Sequence, residues 1–491
     1  MDFLKSAENK FPNYTIFIVY IGILLLSVIG FVYTQSPTIF AIPLGLLIVA
    51  AIYNDYTRLF YGIFMVLPFS MEFYFDNVGL GTDLPSEPLM IILASITLLI
   101  LIKGNFSMPL SYVNHPIWIW LTLHFFWILV TTLNSSFPVI SLKFLLAKIW
   151  YILSFFVFPL LFARNDKDII KAYQYVSTIV FISIIVVLIR HSFEGFSFAA
   201  SYDVVRPFYR NHVSYASISV ICLPFIWAFY RVKKYQNENS FLWFAIIIFM
   251  IGIYFSYTRA AILSILIAIG AYFVIKYRYV KHALAFSSIL LIFGIIYLAW
   301  DNNYMDFAPN YEKTITHTEF DNLIEATYKL EDISSMERVY RWMAGAEMIK
   351  SKFWMGFGPG TFVSNYKNYS ISKFQTYVSD NPEQSGIHNY YLMTWTDQGV
   401  IGFVLFIVLC IVILLQGEKV YAETDDTVTK YYIMATILST IIILAMSLIN
   451  DLLETDKVGP FFFLNAALII LFKRQIEKKK PPRKVNRHHF H

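Results

Sequence analysis

Apolar runs of about 15 to 25 residues recur along nearly the whole chain, more than any fold in water could bury. Wound at about 1.5 Å per residue, such a run crosses the hydrocarbon core of a bilayer, where a helix satisfies every backbone N–H and C=O within its own segment. The runs fall at 14–33, 37–53, 57–70, 89–102, 115–133, 140–162, 171–190, 213–231, 241–257, 259–275, 283–300, 389–415, 429–449 and 458–472. Because 57–70 and 89–102 are short enough to be re-entrant, the expectation is an all-α polytopic membrane protein of about 12–14 transmembrane helices. A composition 57% hydrophobic and 14% charged excludes a set of soluble domains. The first run lacks a small-residue cleavage pattern and reads as a retained span.

The loops supply orientation. "RVKKYQNENS", "KYRYVKH", "RNDKDIIK" and the tail "KRQIEKKKPPRK" fall on one side, whereas "TQSP" and "MEFYFDNVGLGTDLPSEP" on the other carry no positive charge. Basic loops stay in the cytoplasm, so both termini are expected there. The net charge of +5 is thereby a matter of topology, and nucleic acid is not an expected partner. The chain divides into helices 1–11 over 1–300, an outer loop over 301–388, helices 12–14 over 389–473 and a basic cytoplasmic tail over 474–491. Cys222 and Cys410 both lie inside apolar runs, without the spacing of a disulfide framework or zinc site. "NRHHFH" reads as a frayed solvated end.

The outer loop has structure of its own. Ser334 and Glu337 form a capping-box pattern, followed by Val339, Trp342, Ala346, Ile349 and Phe353 at helical spacing. They predict a helix over about 335–352 with that stripe against the membrane surface, ended by "GFGPG" at 356–360. Those glycines are not a dinucleotide fingerprint, since no strand precedes them.

Some charges stand where charge is costly. Phe241 to Ile275 carries only Arg259, so it reads as two spans joined by a tight turn with Arg259 at the outer face. Such an arginine either snorkels to headgroups or serves an anion. On the same side lie Arg190, Arg206, Arg210 and His212 from one loop, and Arg338 and Arg341 from the expected surface helix. Singly each is a solvated or lipid-phosphate contact; converging, they make a pocket for phosphate, because guanidinium donates bidentate hydrogen bonds and keeps its charge. His388 enters the twelfth span at the outer surface and has the chemistry of a general base, or of an interfacial residue bonding backbone. Asn389 either orients that ring, binds a sugar hydroxyl or caps the helix. Asp397 falls about 13 Å along the helix on roughly the opposite face and reads as a packing carboxylate, while Gly399 and Gly402 permit close helix approach. The carboxylates of "DNNYMD" and "NDLLETD" read as solvated loop ends, and no metal-ligand cluster is apparent.

"HNYYLMTWTDQGVIG" resembles the His-Asn-x-x-Leu, acidic-x-Gly-x-x-Gly signature of the O-antigen ligase and Wzy-type polymerase superfamily, with His388 on the histidine and Asp397 on the acidic position. "YTRAAILSILIAI" is similar to its Ser-Arg-Gly span opening, with Thr258 and Ala260 for the usual Ser and Gly around Arg259. "RVYRWMAGAEMIKSKFWMGFGPGTF" resembles the segment from arginine and tryptophan to Gly-x-Gly-Pro-Gly, and "RPFYRNHVSYA" more weakly the loop with Asn-Pro-Asn, His212 following Asn211 in place of the proline. The motifs stand in order over roughly 200–450.

The resemblance implies a GT-C-like glycosyltransferase on the periplasmic face of a bacterial inner membrane. It would move a glycan from undecaprenyl pyrophosphate to an acceptor hydroxyl with inversion, without cofactor or metal. His388 would be general base or acceptor-positioning residue, and Arg259 and Arg338, with Arg210 or Arg206, would neutralise the departing pyrophosphate. Asn211, Asn389 and Arg341 complete the implied substrate-binding set. The preferred acceptor is the lipid A core, as in ligases, with polymerisation onto a second lipid-linked repeat as the alternative; the outer loop of about 88 residues holds no extra domain of the kind protein-loading relatives would need. A transporter is the alternative from another class, though no internal repeat is visible and the unusual charges cluster at one face. A non-catalytic lipid scaffold is the third.

Overall fold

The computed structural model describes Gly22, Leu26 and residues 55–75, 80–104, 108–163, 165–238, 241–301, 303, 333–374, 379, 381 and 385–479. The chain divides into two units, Met1–Ile63 and Phe64–His491. Of the first, the expected spans 14–33 and 37–53 lie outside the described residues apart from Gly22 and Leu26, and residues 56–63 belong to helix α1, Tyr56–Val66.

The second unit is a helical bundle. Its helices are α2 (Ser86–Ile102), α3 (Pro116–Leu133), α4 (Pro138–Phe162), α5 (Asp166–Phe193), α6 (His212–Tyr235), α7 (Leu242–Tyr254), α8 (Arg259–Lys276), α9 (Val280–Ala299), α10 (Ile333–Ser351), α11 (Tyr390–Glu423), α12 (Thr427–Met446) and α13 (Gly459–Lys479). Eight helices among the described residues are long and apolar enough to cross a membrane, and four apolar ones are shorter. Every expected run beyond the first two falls on one of these helices, so the chain is an all-α multi-pass membrane protein. The sequence writes their starts plainly: Pro116 and Pro138 stand in first turns, Asn165 and Asp168 form a capping box, and Asp426 accepts from the Thr429 N–H at 3.0 Å. α6 packs on α12, α12 on α8 and α13, and α11 on α3. α13 is the most enclosed, with 83% of its apolar window buried, which is why Phe461–Phe472 carry scarcely any polar side chain besides Asn465.

Two features depart from the sequence reading. Residues 71–84 contain an antiparallel hairpin, β1 (Met71–Phe75) and β2 (Leu80–Leu84), paired Met71 with Leu84 and Phe75 with Leu80. α10 exists as expected, but it buries Met336, Tyr340, Ala344 and Met348, and it packs on α11 and on the 366–369 turn, where Tyr340 meets Tyr366. The expected stripe of Val339, Trp342, Ala346 and Ile349 is only half-buried, and Phe353 is exposed. Among the described residues the helix begins at Ile333, and Glu337 faces Arg341 at 3.3 Å and accepts from Ser379 Oγ at 2.7 Å.

The connections sort into two ends. At one, Arg278 donates to the Ala422 carbonyl at 3.4 Å, the Val280 N–H to Glu418 at 2.9 Å and Lys473 pairs with Glu423 at 2.7 Å. At the other, the hairpin, the turns 134–137, 194–211 and 255–258, the segments 352–374 and 385–389 and the loop 447–458 meet one another.

Candidate functional site

His388 sits in this second cluster with its backbone at φ +55°, a conformation a side chain adopts only under constraint. The constraint is visible on both flanks. Upstream, the Trp342 indole N–H donates to the Ile387 carbonyl at 3.0 Å and Arg341 to the Gly386 carbonyl at 3.4 Å, while Ile387 is buried against Gly345 of α10. Downstream, Asn389 caps α11 by accepting from the N–H groups of Tyr391 at 3.1 Å and Leu392 at 3.0 Å, and Tyr390 donates to the Ser447 carbonyl at 2.9 Å.

The imidazole is thereby aimed at Asp451, with Nδ1 at 3.8 Å from Oδ1, each side chain between a quarter and a third exposed at 29% and 26%. Burial lowers the ring's pKa to about 4; Asp451 opposes that fall, and Arg338 and Arg341 deepen it. His388 is therefore neutral at physiological pH, with Nε2 facing away from Asp451. Such a ring can accept a proton, and a new positive charge on it would be stabilised by the adjacent carboxylate.

Arg338, from α10, is near enough to act electrostatically on both His388 and His212. His212 opens α6, and its carbonyl accepts from Thr258 Oγ1 at 3.4 Å in the α7–α8 turn. The next residue, Arg259, begins α8 and is half-buried, the turn before it passing through Tyr257 at φ +53°. Arg338 thus acts on two histidines, and the α7–α8 turn reaches the backbone of one of them, His212.

The other expected binders are placed differently. Arg341 is buried and faces Glu337, so its guanidinium holds the Gly386 segment. Asn211 is the cap of α6, its Oδ1 accepting from the Ser214 N–H at 2.9 Å. Arg210 pairs with Glu72 of the hairpin at 3.3 Å, and Arg206 lies over the Tyr202 ring at 4.5 Å. Both face a neighbouring cavity of about 360 Å³ rather than His388.

The glycine motifs serve packing. Within α11, Gly399 adopts φ +68° and ψ −177°, which interrupts the helix and turns backbone groups outward. Phe357 donates to the Thr396 carbonyl at 3.0 Å, Gly358 to the Asp397 carbonyl at 2.9 Å and Val400 to the Phe353 carbonyl at 2.8 Å. Asp397, buried, accepts from the Gly360 N–H at 2.7 Å. The Gly-rich segment is therefore strapped across the kink, which fixes where α10 delivers Arg338. Gly402 provides close approach to Trp127 of α3.

The loop 447–458 corrects the reading of "NDLLETD" as solvated. Asn450, Leu453 and Asp456 are buried, and Asp456 accepts from Ser86 Oγ at 2.6 Å. Glu454 pairs at 2.7 Å with Lys148, a buried α4 lysine that also donates to the Tyr390 hydroxyl at 3.2 Å. Asp451 and Lys148 escaped the sequence reading because their partners lie 63 and 306 positions away along the chain; the only available signal was a lysine inside an apolar run. Among the described residues, no three His, Cys, Asp or Glu side chains form a metal-holding group.

Residues 244–407, from α7 through the first half of α11, match the family model described as O-Antigen ligase, which supports the resemblance to that superfamily. No curated protein matches the chain.

Proposed function

We propose that the chain is a membrane glycosyltransferase that moves a glycan from undecaprenyl pyrophosphate to a sugar hydroxyl of a lipid A core, on the periplasmic face of a bacterial inner membrane. The observation that carries the reading is Arg338 acting on both His388 and His212, with the Thr258–Arg259 turn bonded to the His212 carbonyl and Asp451 beside the His388 ring. The end of the bundle holding this cluster lies opposite the basic end, as the positive-inside pattern asks of an outward-facing site.

The chemistry follows from the charges. The acceptor oxygen attacks C1 of the donor sugar as its proton passes to His388 Nε2, the C1–O bond breaks, and undecaprenyl pyrophosphate leaves with the bonding electrons. Displacement from the opposite face inverts C1. Arg259 and Arg338 stabilise the charge developing on the leaving group from fixed positions, which costs no reorganisation during the reaction. Asp451 stabilises the imidazolium formed at the same moment, and the incoming pyrophosphate further raises the basicity of a ring whose pKa is otherwise low.

Purified protein supplied with lipid-pyrophosphate oligosaccharide and either core acceptor or further donor tests the reading. One added block indicates ligation, and a ladder of lengths indicates the polymerase alternative. No product with either acceptor, despite verified donor binding, removes the transferase reading and returns the chain to the transporter class.

A further inference from the structure

We propose that the cavity between the β1–β2 hairpin and the turn preceding α6 is a carbohydrate subsite that takes the hydroxyls of the donor's sugar, while the donor's pyrophosphate lies with Arg259 and Arg338. The inference rests on the donor reading above and divides its substrate between two places. At about 360 Å³ the cavity is within the range of small-molecule sites, about 300–1,000 Å³. Its charged walls are Glu72 and Asp83 from the hairpin, Arg206 and Arg210 from the turn, and Asp456 and Lys457 from the loop 447–458.

These groups do not suit a pyrophosphate. Three cations face three carboxylates, and the cations are engaged: Arg210 with Glu72 at 3.3 Å, Arg206 over Tyr202 at 4.5 Å, and Lys457 donating to the Leu67 and Ser70 carbonyls, both at 2.7 Å, while standing 3.6 Å from Asp456. A ligand with several negative charges would meet Glu72 and Asp456 at close range. A neutral polyol meets donors and acceptors interleaved, and each hydroxyl can give its proton to a carboxylate while accepting from a guanidinium. Burial, with Asp456 beside it, raises the pKa of Asp83 to about 7, so that this carboxyl can donate as well as accept near neutrality.

The cavity is also in the right place for the sugar next to the departing group. The turn that carries Arg206 and Arg210 runs directly into Asn211 and His212, on which Arg338 and Thr258 converge. The loop that places Asp456 and Lys457 in the wall places Asp451 against His388. The hairpin wall lies outside residues 244–407, so the segment that resembles the superfamily brings the charge-neutralising centre and the remote hairpin brings selectivity for the glycan.

The full chain in lipid nanodiscs tests this with two probes: synthetic undecaprenyl pyrophosphate, and the lipid-linked oligosaccharide fraction of the source cells. Wild-type protein is expected to bind the glycosylated lipid about tenfold more tightly than the sugar-free one. Glu72→Gln and Arg210→Gln, at side chains 41% and 66% exposed, leave folding intact. They should weaken binding of the glycosylated lipid by about five- to tenfold, as loss of one hydrogen bond predicts, and shift that of the sugar-free lipid by less than about twofold. Equal loss for both probes would make the cavity an anion site and overturn the subsite, as would no loss for either. Wild-type protein that ignores undecaprenyl pyrophosphate altogether would instead overturn the donor reading on which the subsite depends.

Discussion

Replacing Gly399 by alanine should unlatch the site without touching a reacting group. The residue's φ of +68° and ψ of −177° lie in a region open essentially to glycine alone, which costs a side chain about 1–3 kcal/mol. The new Cβ would also stand 2.1 Å from the Trp354 carbonyl oxygen and 2.3 Å from its carbon, far inside contact distance and against backbone that cannot rotate away. Relief requires the 353–358 segment to lift, which breaks the Phe357, Gly358 and Val400 hydrogen bonds at 3.0, 2.9 and 2.8 Å. At about 1 kcal/mol net for each bond, the total destabilisation is about 4–6 kcal/mol. Gly270→Ala is the control: that glycine is inside α8 with nothing within 4 Å of the would-be Cβ, so alanine should be neutral or stabilise by up to about 1 kcal/mol. Thermal unfolding in detergent reads both. In domains of about 150–250 residues 1 kcal/mol moves Tm by about 2–4 °C, and less in a longer chain, so Gly399→Ala should melt at least about 5 °C lower, with faster amide exchange over 353–360. A Gly399→Ala protein that melts within about 1 °C of wild type would refute the strapped-kink account.

His388→Ala should abolish turnover while donor affinity stays within about threefold of wild type, whereas Asp451→Asn should lower kcat by about ten- to a hundredfold with KM nearly unchanged; parallel loss of donor binding in either would contradict the assigned roles. Because the pKa of His388 falls to about 4, its neutral form persists below the ordinary histidine range, so kcat/KM should hold its acid-side plateau down to about pH 5, and a half-maximum near pH 6.5 would argue for a different base. Lys148→Met alone leaves Glu454 facing a buried apolar neighbourhood and should destabilise by about 3–5 kcal/mol, while Lys148→Met with Glu454→Leu should recover most of it in the same unfolding assay.

The bundle was legible in the chain because the bilayer imposes a length and a polarity on every span, and those are local properties of sequence. So were the tight turn before Arg259 and the existence of α10, each fixed by its own neighbours. The hairpin was not, since five-residue strands between helices carry too little pattern and take their register from each other. The buried face of α10 was misplaced by part of a turn because it packs on α11 and on the turn holding Tyr366, whose ring meets Tyr340, rather than on a lipid surface. The ordered motifs named His388, Arg259 and Arg338 as a set, but only the fold decided that Arg341, Asn211 and Asn389 hold backbone, that Arg206 and Arg210 face a separate cavity, and that Asp451 stands behind His388. Composition and periodicity determine what an element is and which solvent it meets. Which side chains from segments 60 to 300 positions apart share one electrostatic neighbourhood depends on packing between elements, and only the tertiary structure decided it.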